Sequence, residues 1–254
     1  MSLAFIGLGL ATEQDVSTGA LELIQKADVL YLETYTSVLQ CSIKDLEKFY
    51  GHDIIKADRE LVEQRAEDTI LHDAKTQQVC FLVIGDVFSA TTHLDLYRRA
   101  KELRIPISVH HNASVLTAVG ATGLQLYKFG KVTSIPLEHE QVTTPYEYLG
   151  QNKSIGAHTL FLLDLRPDEN RFLLIREAIE YLLQQESKQK KGLLTKKTKA
   201  IGCARLGSKD AVIHYGTLEA LTRQEFGNAP YCLIIPGVLH FMEEETLQLY
   251  TIRQ

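Results

Sequence analysis

Val79-Cys80-Phe81-Leu82-Val83-Ile84 is an unbroken apolar run, and Gly85-Asp86 follow it without a spacer. A run so short and so uniformly apolar reads as a strand buried on both faces, as in a parallel sheet. The glycine lets the chain turn sharply where the run ends. The same grammar recurs on either side. Leu3–Gly7 reads as a strand closed by Gly7-Leu8-Gly9, and Val29–Leu32 as a second, followed by Glu33-Thr34-Tyr35-Thr36-Ser37. Between them, Asp15–Ala27 carries Val16, Ala20, Leu23, Ile24 and Ala27 at helical spacing. Asp58–Ala74 and Thr92–Leu103 are further helical patterns, the latter ended by Ile105-Pro106 before the strand Ile107–Val109. Strands alternating with helices predict an α/β domain with parallel strands.

A second set follows the glycine-punctuated stretch Ala113–Gly130. Its strands are expected at Lys131–Ile135, Thr159–Leu163, Ala200–Ala204 and Cys232–Ile235. Its helices are expected at Pro145–Leu149, Phe172–Gln185, Leu218–Glu225 and Val238–Leu249. The boundary falls near residue 112, giving an N-terminal α/β domain over 1–112 and a C-terminal one over 113–254. A length of 254 residues suits one large domain or two modest ones.

Composition narrows the classes. Hydrophobic residues at 45% and charged residues at 23% exclude a disordered, collagen-like or coiled-coil chain. A formal net charge of -5 leaves no basic field for nucleic acid, so no direct binding of it is expected. Ser187–Lys199 is lysine-rich and reads as a solvated loop, or else as a docking contact for an acidic partner or RNA. Cys41, Cys80, Cys203 and Cys232 are widely spaced, and the last three sit in apolar runs where a reduced thiol is expected. The N-terminus has no signal-peptide pattern, and no run approaches the ~20 apolar residues of a membrane helix. A cytoplasmic protein is expected.

Candidate chemistry sits where strands end. Gly7-Leu8-Gly9 begins like a dinucleotide fingerprint, but the third glycine is replaced by Thr12. Glu33 stands where a ribose-binding carboxylate would otherwise suit. Asp86 lies in a glycine turn at a strand's carboxyl end, the place where ligands bind in open α/β sheets. Thr92 with Asp95 fits a helix cap. His110 and His111 are adjacent, so in extended chain they point to opposite faces and cannot easily share a metal; no metal is expected. Ala113–Leu126 reads as a helix with a small-residue face. No serine or cysteine has a nucleophile-elbow setting.

These segments, taken together, resemble the diphthine synthases of the tetrapyrrole-methylase-like group. The resemblance rests on Phe5-Ile6-Gly7-Leu8-Gly9-Leu10, Leu32–Ser37, Gly85-Asp86 with Ala90-Thr91-Thr92-His93, and His111-Asn112-Ala113-Ser114. It continues through Gly123–Lys131, His158–Leu160, Leu163-Asp164, Ala204–Ser208, Pro236-Gly237 and Leu239-His240, and so covers essentially the whole chain. It implies two α/β domains with S-adenosylmethionine (SAM) held in a cleft between them, and a homodimer. It also implies methyl transfer to the 3-amino-3-carboxypropyl chain on the modified histidine of translation elongation factor 2. The products are diphthine or its methyl ester, with S-adenosylhomocysteine (SAH) left behind.

Carried over residue by residue, the resemblance assigns cofactor contacts to Leu10, Asp86, Ser89, Ser114, Val115, Leu163, Leu206 and Tyr231. Val87 and Tyr231 depart from the family, which usually has proline and histidine there. No catalytic residue is assigned, since a sulfonium is an activated leaving group and the protein mainly positions the reactants. The alternatives are a tetrapyrrole-precursor methyltransferase of the same fold and a non-catalytic adaptor for the elongation factor.

Overall fold

The computed structural model describes residues 1–252. The chain divides into two compact units: Met1–Ala118 with Gly207–Lys209, and Val119–Leu206 with Asp210 onward. The boundary expected at 112 therefore moves to 118. Asn112 is the reason, since its side-chain amide donates 3.0 Å bonds to the carbonyls of Gly7 and Asp15 and ties the segment after it to the first unit.

The first unit is a five-stranded, all-parallel sheet in the order β3-β2-β4-β1-β5. Its strands are β1 (Ser2–Gly7), β2 (Val29–Glu33), β3 (Ile54–Ala57), β4 (Gln78–Val83) and β5 (Ile107–His110). Successive strand residues face opposite sides, and the core divides accordingly. Leu3, Phe5, Tyr31, Val79, Phe81 and Val83 pack with Ile70, Leu71 and Leu96. Ala4, Ile6, Leu30, Leu32, Cys80 and Leu82 pack with Ile24, Leu46 and Tyr50. Both faces of β1 and β4 are thus covered, which is why those strands are apolar throughout.

Three expectations for this unit need correction. Asp58–Ala74 is not one helix but Arg59–Glu63, a 3-10 turn Ala66–Asp68, and Ile70–Asp73. The break sits at Thr69, whose φ of -129° and ψ of -101° take it out of helical geometry. Ala113–Leu126 is likewise reduced to Val115–Ala118 and a 3-10 turn Val119–Thr122, because Gly123 turns the chain at φ +86°. Thr92 does not cap the next helix, which begins at Leu94 behind His93; its hydroxyl lies instead 3.3 Å from Glu63 Oε1.

The second unit is a mixed five-stranded sheet in the order β11-β10-β12-β7-β6. Its strands are β6 (Thr133–Ile135), β7 (Thr159–Leu163), β10 (Lys199–Ala204), β11 (Val212–Thr217) and β12 (Tyr231–Ile235). Between β7 and β10 lies a two-residue hairpin of β8 (Leu165–Arg166) and β9 (Arg171–Phe172). Among the named strands of the described residues in this sheet, only β6 and β7 pair in parallel. The helix Ile175–Gln189 buries Ile175, Ala178, Ile179 and Leu182 against this sheet's core. It runs into the lysine-rich segment, whose lysines are exposed as a solvated loop would have them, and Glu186 accepts the amides of Gly192, Leu193 and Leu194 and folds the segment back. All four cysteines are free thiols, and Cys203 faces Cys232 across β10 and β12. No helix among the described residues is long and apolar enough to cross a membrane.

Candidate functional site

Parallel strands deliver their loops to one end of a sheet, and in the first unit three such loops interlock. Gly9, after β1, and Gly85, after β4, form an isolated antiparallel bridge, both with positive φ of +80° and +85°. A Cβ on Gly7 would stand 2.7 Å from the Gly85 carbonyl oxygen, closer than two such atoms approach. Asn112, after β5, locks the third loop on: its Nδ2 donates to Gly7 and its Oδ1 accepts the Ala113 amide at 2.7 Å. Here the incomplete fingerprint finds its explanation. Thr12 and Asp15 form a capping box, with Asp15 Oδ2 accepting the amides of Ala11 and Thr12, so the segment closes on itself.

Asp86 follows Gly85 in the second of these loops, and its carboxylate is filled. Oδ1 accepts Ser89 Oγ at 2.9 Å and the Phe88 amide at 3.2 Å; Oδ2 accepts the Asn112 amide at 3.2 Å and faces His111 Nδ1 at 2.7 Å. Burial raises its proton affinity, but the bonds from His111, Phe88, Ser89 and Asn112 outweigh burial and hold the carboxyl below its usual range. Ser89 is therefore a partner of Asp86. Ser114 is buried and caps the short helix, its Oγ accepting the Leu116 amide at 3.2 Å, and Val115 begins that helix half-buried. Leu10 meets Gly85 and Gly207: a Cβ on Gly207, at φ +90°, would lie 2.7 Å from Leu10 Cδ1. Leu10, Asp86, Ser89, Ser114 and Val115 thus all stand on the loops at one end of one sheet.

Leu163, Leu206 and Tyr231 gather in the same way in the second unit. Leu163 ends β7 and Tyr231 begins the antiparallel neighbour β12, and Leu206 follows β10 two residues past Ala204, the partner of Tyr231. Leu163 and Leu206 are buried. Tyr231 is half-buried against that unit's core, and its hydroxyl donates to the Gly227 carbonyl. Val87, the other departure, is fully buried in the first unit's core, and its carbonyl accepts Thr91 Oγ1 at 2.8 Å.

Glu33, discounted together with the broken fingerprint, serves its own turn, and a second buried carboxylate escaped the sequence reading. Glu33 is fully buried and spends itself on its own turn, accepting Thr36 Oγ1 and the Tyr35 amide at 2.6 Å. Burial raises its proton affinity, against those hydrogen bonds and Arg59. The missed group is Glu243, fully buried in the second unit. It accepts the Gln125 amide at 2.8 Å and the His240 amide at 2.7 Å, pairs with Lys128, and faces His158 Nε2 at 3.0 Å. The only signal was the coincidence of Lys128, His158 and His240 in motif-like stretches. Among the described residues no cluster of histidine, cysteine or acidic side chains could hold a metal.

The tetrapyrrole (corrin/porphyrin) methylases match residues 2–222 of the chain. The chain is 43% identical to the Arabidopsis thaliana protein named "Probable diphthine methyl ester synthase", over 98% of both. It is 41% identical to the diphthine synthase of Methanocaldococcus jannaschii over 97% of both. A solved diphthine synthase superimposes with a TM-score of 0.90 at 34% identity, covering 99% of this chain and 96% of the other. The chain belongs to the tetrapyrrole methylase family, within it to the diphthine synthases, and is a methyltransferase.

Proposed function

We propose that the chain transfers methyl groups from SAM to the 3-amino-3-carboxypropyl chain on the modified histidine of translation elongation factor 2, giving diphthine or its methyl ester. The observation that carries this reading is the full-length similarity to diphthine synthases and diphthine methyl ester synthases. It also favours this acceptor over a tetrapyrrole precursor, because the similarity extends through the second unit to the chain's end rather than stopping with the shared fold. In the cell the enzyme is read as a cytoplasmic homodimer, following the resemblance.

The residues present suit an adenosyl-sulfonium ligand. At Gly85 a Cβ would enter space bounded by the Ala113 carbonyl at 3.8 Å and Leu10 Cδ2 at 3.9 Å, so glycine leaves a cradle there. At the end of β5 in the same unit, His110 Nε2 is buried without a partner among the described residues, a polar position open to a ligand or water. Leu10, Asp86, Ser89, Ser114 and Val115 of the first unit, and Leu163, Leu206 and Tyr231 of the second, are proposed as the cofactor contacts. When bound, SAM supplies an electrophilic methyl group. Leu10 and Val115 offer apolar surface, and ionised Asp86 fixes its loop and places negative charge near a cationic ligand. Isothermal calorimetry with SAM and SAH tests binding, and transfer of labelled methyl to elongation factor 2 that lacks the trimethyl group tests the acceptor. Binding without transfer would remove the acceptor reading.

A further inference from the structure

The Asp86 carboxylate has its lone pairs taken up by the protein's own donors, and one of those donors is a histidine. A carboxylate has about four lone-pair sites, and four donors of the protein's own occupy them: Ser89 Oγ, the Phe88 and Asn112 amides, and His111 Nδ1. The last contact, at 2.7 Å, fixes a tautomer. An ionised carboxylate only accepts, so the proton between the two groups belongs to His111 Nδ1. In the neutral ring the lone pair then lies on Nε2. The two side chains also differ in exposure, with 67% of His111 open to solvent against 10% of Asp86. Phe88 stands against the imidazole edge to face at a centroid distance of 6.2 Å. The loop after β5 thus holds outward an imidazole of defined tautomer, backed by a buried anion, three residues before Ser114.

Resting on the function proposed above, we propose that His111 Nε2 is the proton acceptor for the amine that receives the methyl groups. An aliphatic amine at neutral pH is mostly ammonium, which has no lone pair with which to attack. The ammonium gives one proton to His111 Nε2, leaving the free amine and an imidazolium. The amine nitrogen then forms the new N–CH3 bond as the S–CH3 bond breaks, its electron pair staying on sulfur as the thioether of SAH. The product is a methylammonium, one proton fewer than before, and the same loss precedes the second and third transfers. The trimethylammonium has no proton left, so the demand ends there. Between transfers the imidazolium returns its proton to water through its exposed edge. Asp86 stabilises that imidazolium as an ion pair and holds the ring in place, the role of a positioning residue. His110 adjoins His111 in the chain, and Asp15, whose backbone carbonyl accepts Asn112 Nδ2, has its carboxylate turned to the Ala11 and Thr12 amides.

The experiment uses the full chain, SAM in excess and elongation factor 2 bearing the unmethylated acceptor, with the first transfer followed in a single turnover. In His111→Ala the first transfer should slow by about 10²–10⁴-fold, the usual contribution of a general base. Because His111 is exposed and outside the cofactor contacts, the dissociation constant for SAH should stay within about twofold of the parent. Two readouts separate proton transfer from mere shape. Added imidazole should restore part of the rate in His111→Ala, and the residual rate should climb with pH as free amine accumulates. An unchanged rate, or a slow variant that imidazole does not rescue and whose pH profile parallels the parent, overturns the proposal. Failure of the parent itself to bind SAH or to methylate the factor would instead overturn the function on which it rests.

Discussion

Gly9 and Gly85 exchange two backbone hydrogen bonds, Gly85 N to the Gly9 carbonyl at 2.7 Å and Gly9 N to the Gly85 carbonyl at 3.2 Å. Through them the loops after β1 and β4 become one rigid element, and β5 joins it by way of Asn112. The first unit's proposed cofactor contacts, although on three separate loops, are therefore compatible with the fixed geometry that methyl transfer demands.

Gly7→Ala tests that element. The added methyl would meet the Gly85 carbonyl at 2.7 Å and Asn112 Cβ at 3.0 Å, and neither can move without disturbing the bridge. The variant should lose about 1–3 kcal/mol of stability, the usual cost of overpacking. Chemical denaturation with an unchanged midpoint would show that the loops are looser than their hydrogen bonds indicate.

Much of this architecture was legible because β1 and β4 are buried on both faces, and such strands are written as continuous apolar runs. The loops on which the first unit's cofactor contacts are proposed were marked by the same runs, since these end in Gly7, Gly85 or the His110-His111-Asn112 step. What escaped was of two kinds. β3 and β11 are edge strands of their sheets, partly exposed, and Ile54-Ile55-Lys56-Ala57 carries too little apolar pattern to announce itself. The helix Ile43–Tyr50 buries only Leu46 and Tyr50, so its face was equally faint. The other kind is long-range polar pairing. Nothing local marks Asp86 as the partner of His111, or Glu243 as that of His158 85 residues away.

The Glu243 cluster should make the second unit acid-labile. Burial would raise the Glu243 carboxyl, but the bonds from the Gln125 and His240 amides, Lys128 and His158 hold it down at about 2. Burial also pushes His158 down, against the pull of Glu243. For both groups the unfolded chain binds protons more readily, so stability is lost as pH falls. His158 contributes first, below its ordinary value of about 6.5, and Glu243 follows from about pH 5 toward 2, worth on the order of 3 kcal/mol. Glu243→Gln should be destabilised by about 3–5 kcal/mol at pH 7, where Lys128 and its buried surroundings lose their counter-charge. Unfolding curves from pH 7 to 3 should show the gap from the parent narrowing; a constant gap would exclude this charge as its source.

Gly207→Ala should weaken SAM binding by about tenfold, equivalent to about 1.4 kcal/mol. At φ +90° any side chain is strained, and this one would displace Leu10 through contacts of 2.7 and 2.8 Å. Gly192→Ala is the control, with positive φ of +70° but nothing within 4 Å of its Cβ. Calorimetry giving both variants the same affinity would remove Leu10 from the cofactor contacts.

The resemblance implies a cofactor contact at Tyr231, whose hydroxyl is engaged within its own unit. A tyrosine at a position usually held by histidine invites the idea that its hydroxyl reaches the adenosine. That hydroxyl donates instead to the Gly227 carbonyl, four residues back in the same unit, while the ring packs on the core beside β12. Burial raises the phenol's proton affinity, so it stays a neutral donor through the physiological range. The ring, rather than the oxygen, is then what a ligand could meet. Tyr231→Phe keeps the ring and gives up one ordinary hydrogen bond to a carbonyl that water can reach, a loss of about 0.5–1.5 kcal/mol of stability. Its SAM affinity should match the parent within about twofold, well under the tenfold that one lost ligand hydrogen bond would cost. Tyr231→Ala removes the packed ring and should raise the dissociation constant by tenfold or more, about 1.4 kcal/mol per factor of ten. Equal affinity in Tyr231→Ala and the parent would take Tyr231 out of the cofactor contacts, whereas a tenfold loss in Tyr231→Phe would mean that the hydroxyl leaves Gly227 when the ligand binds.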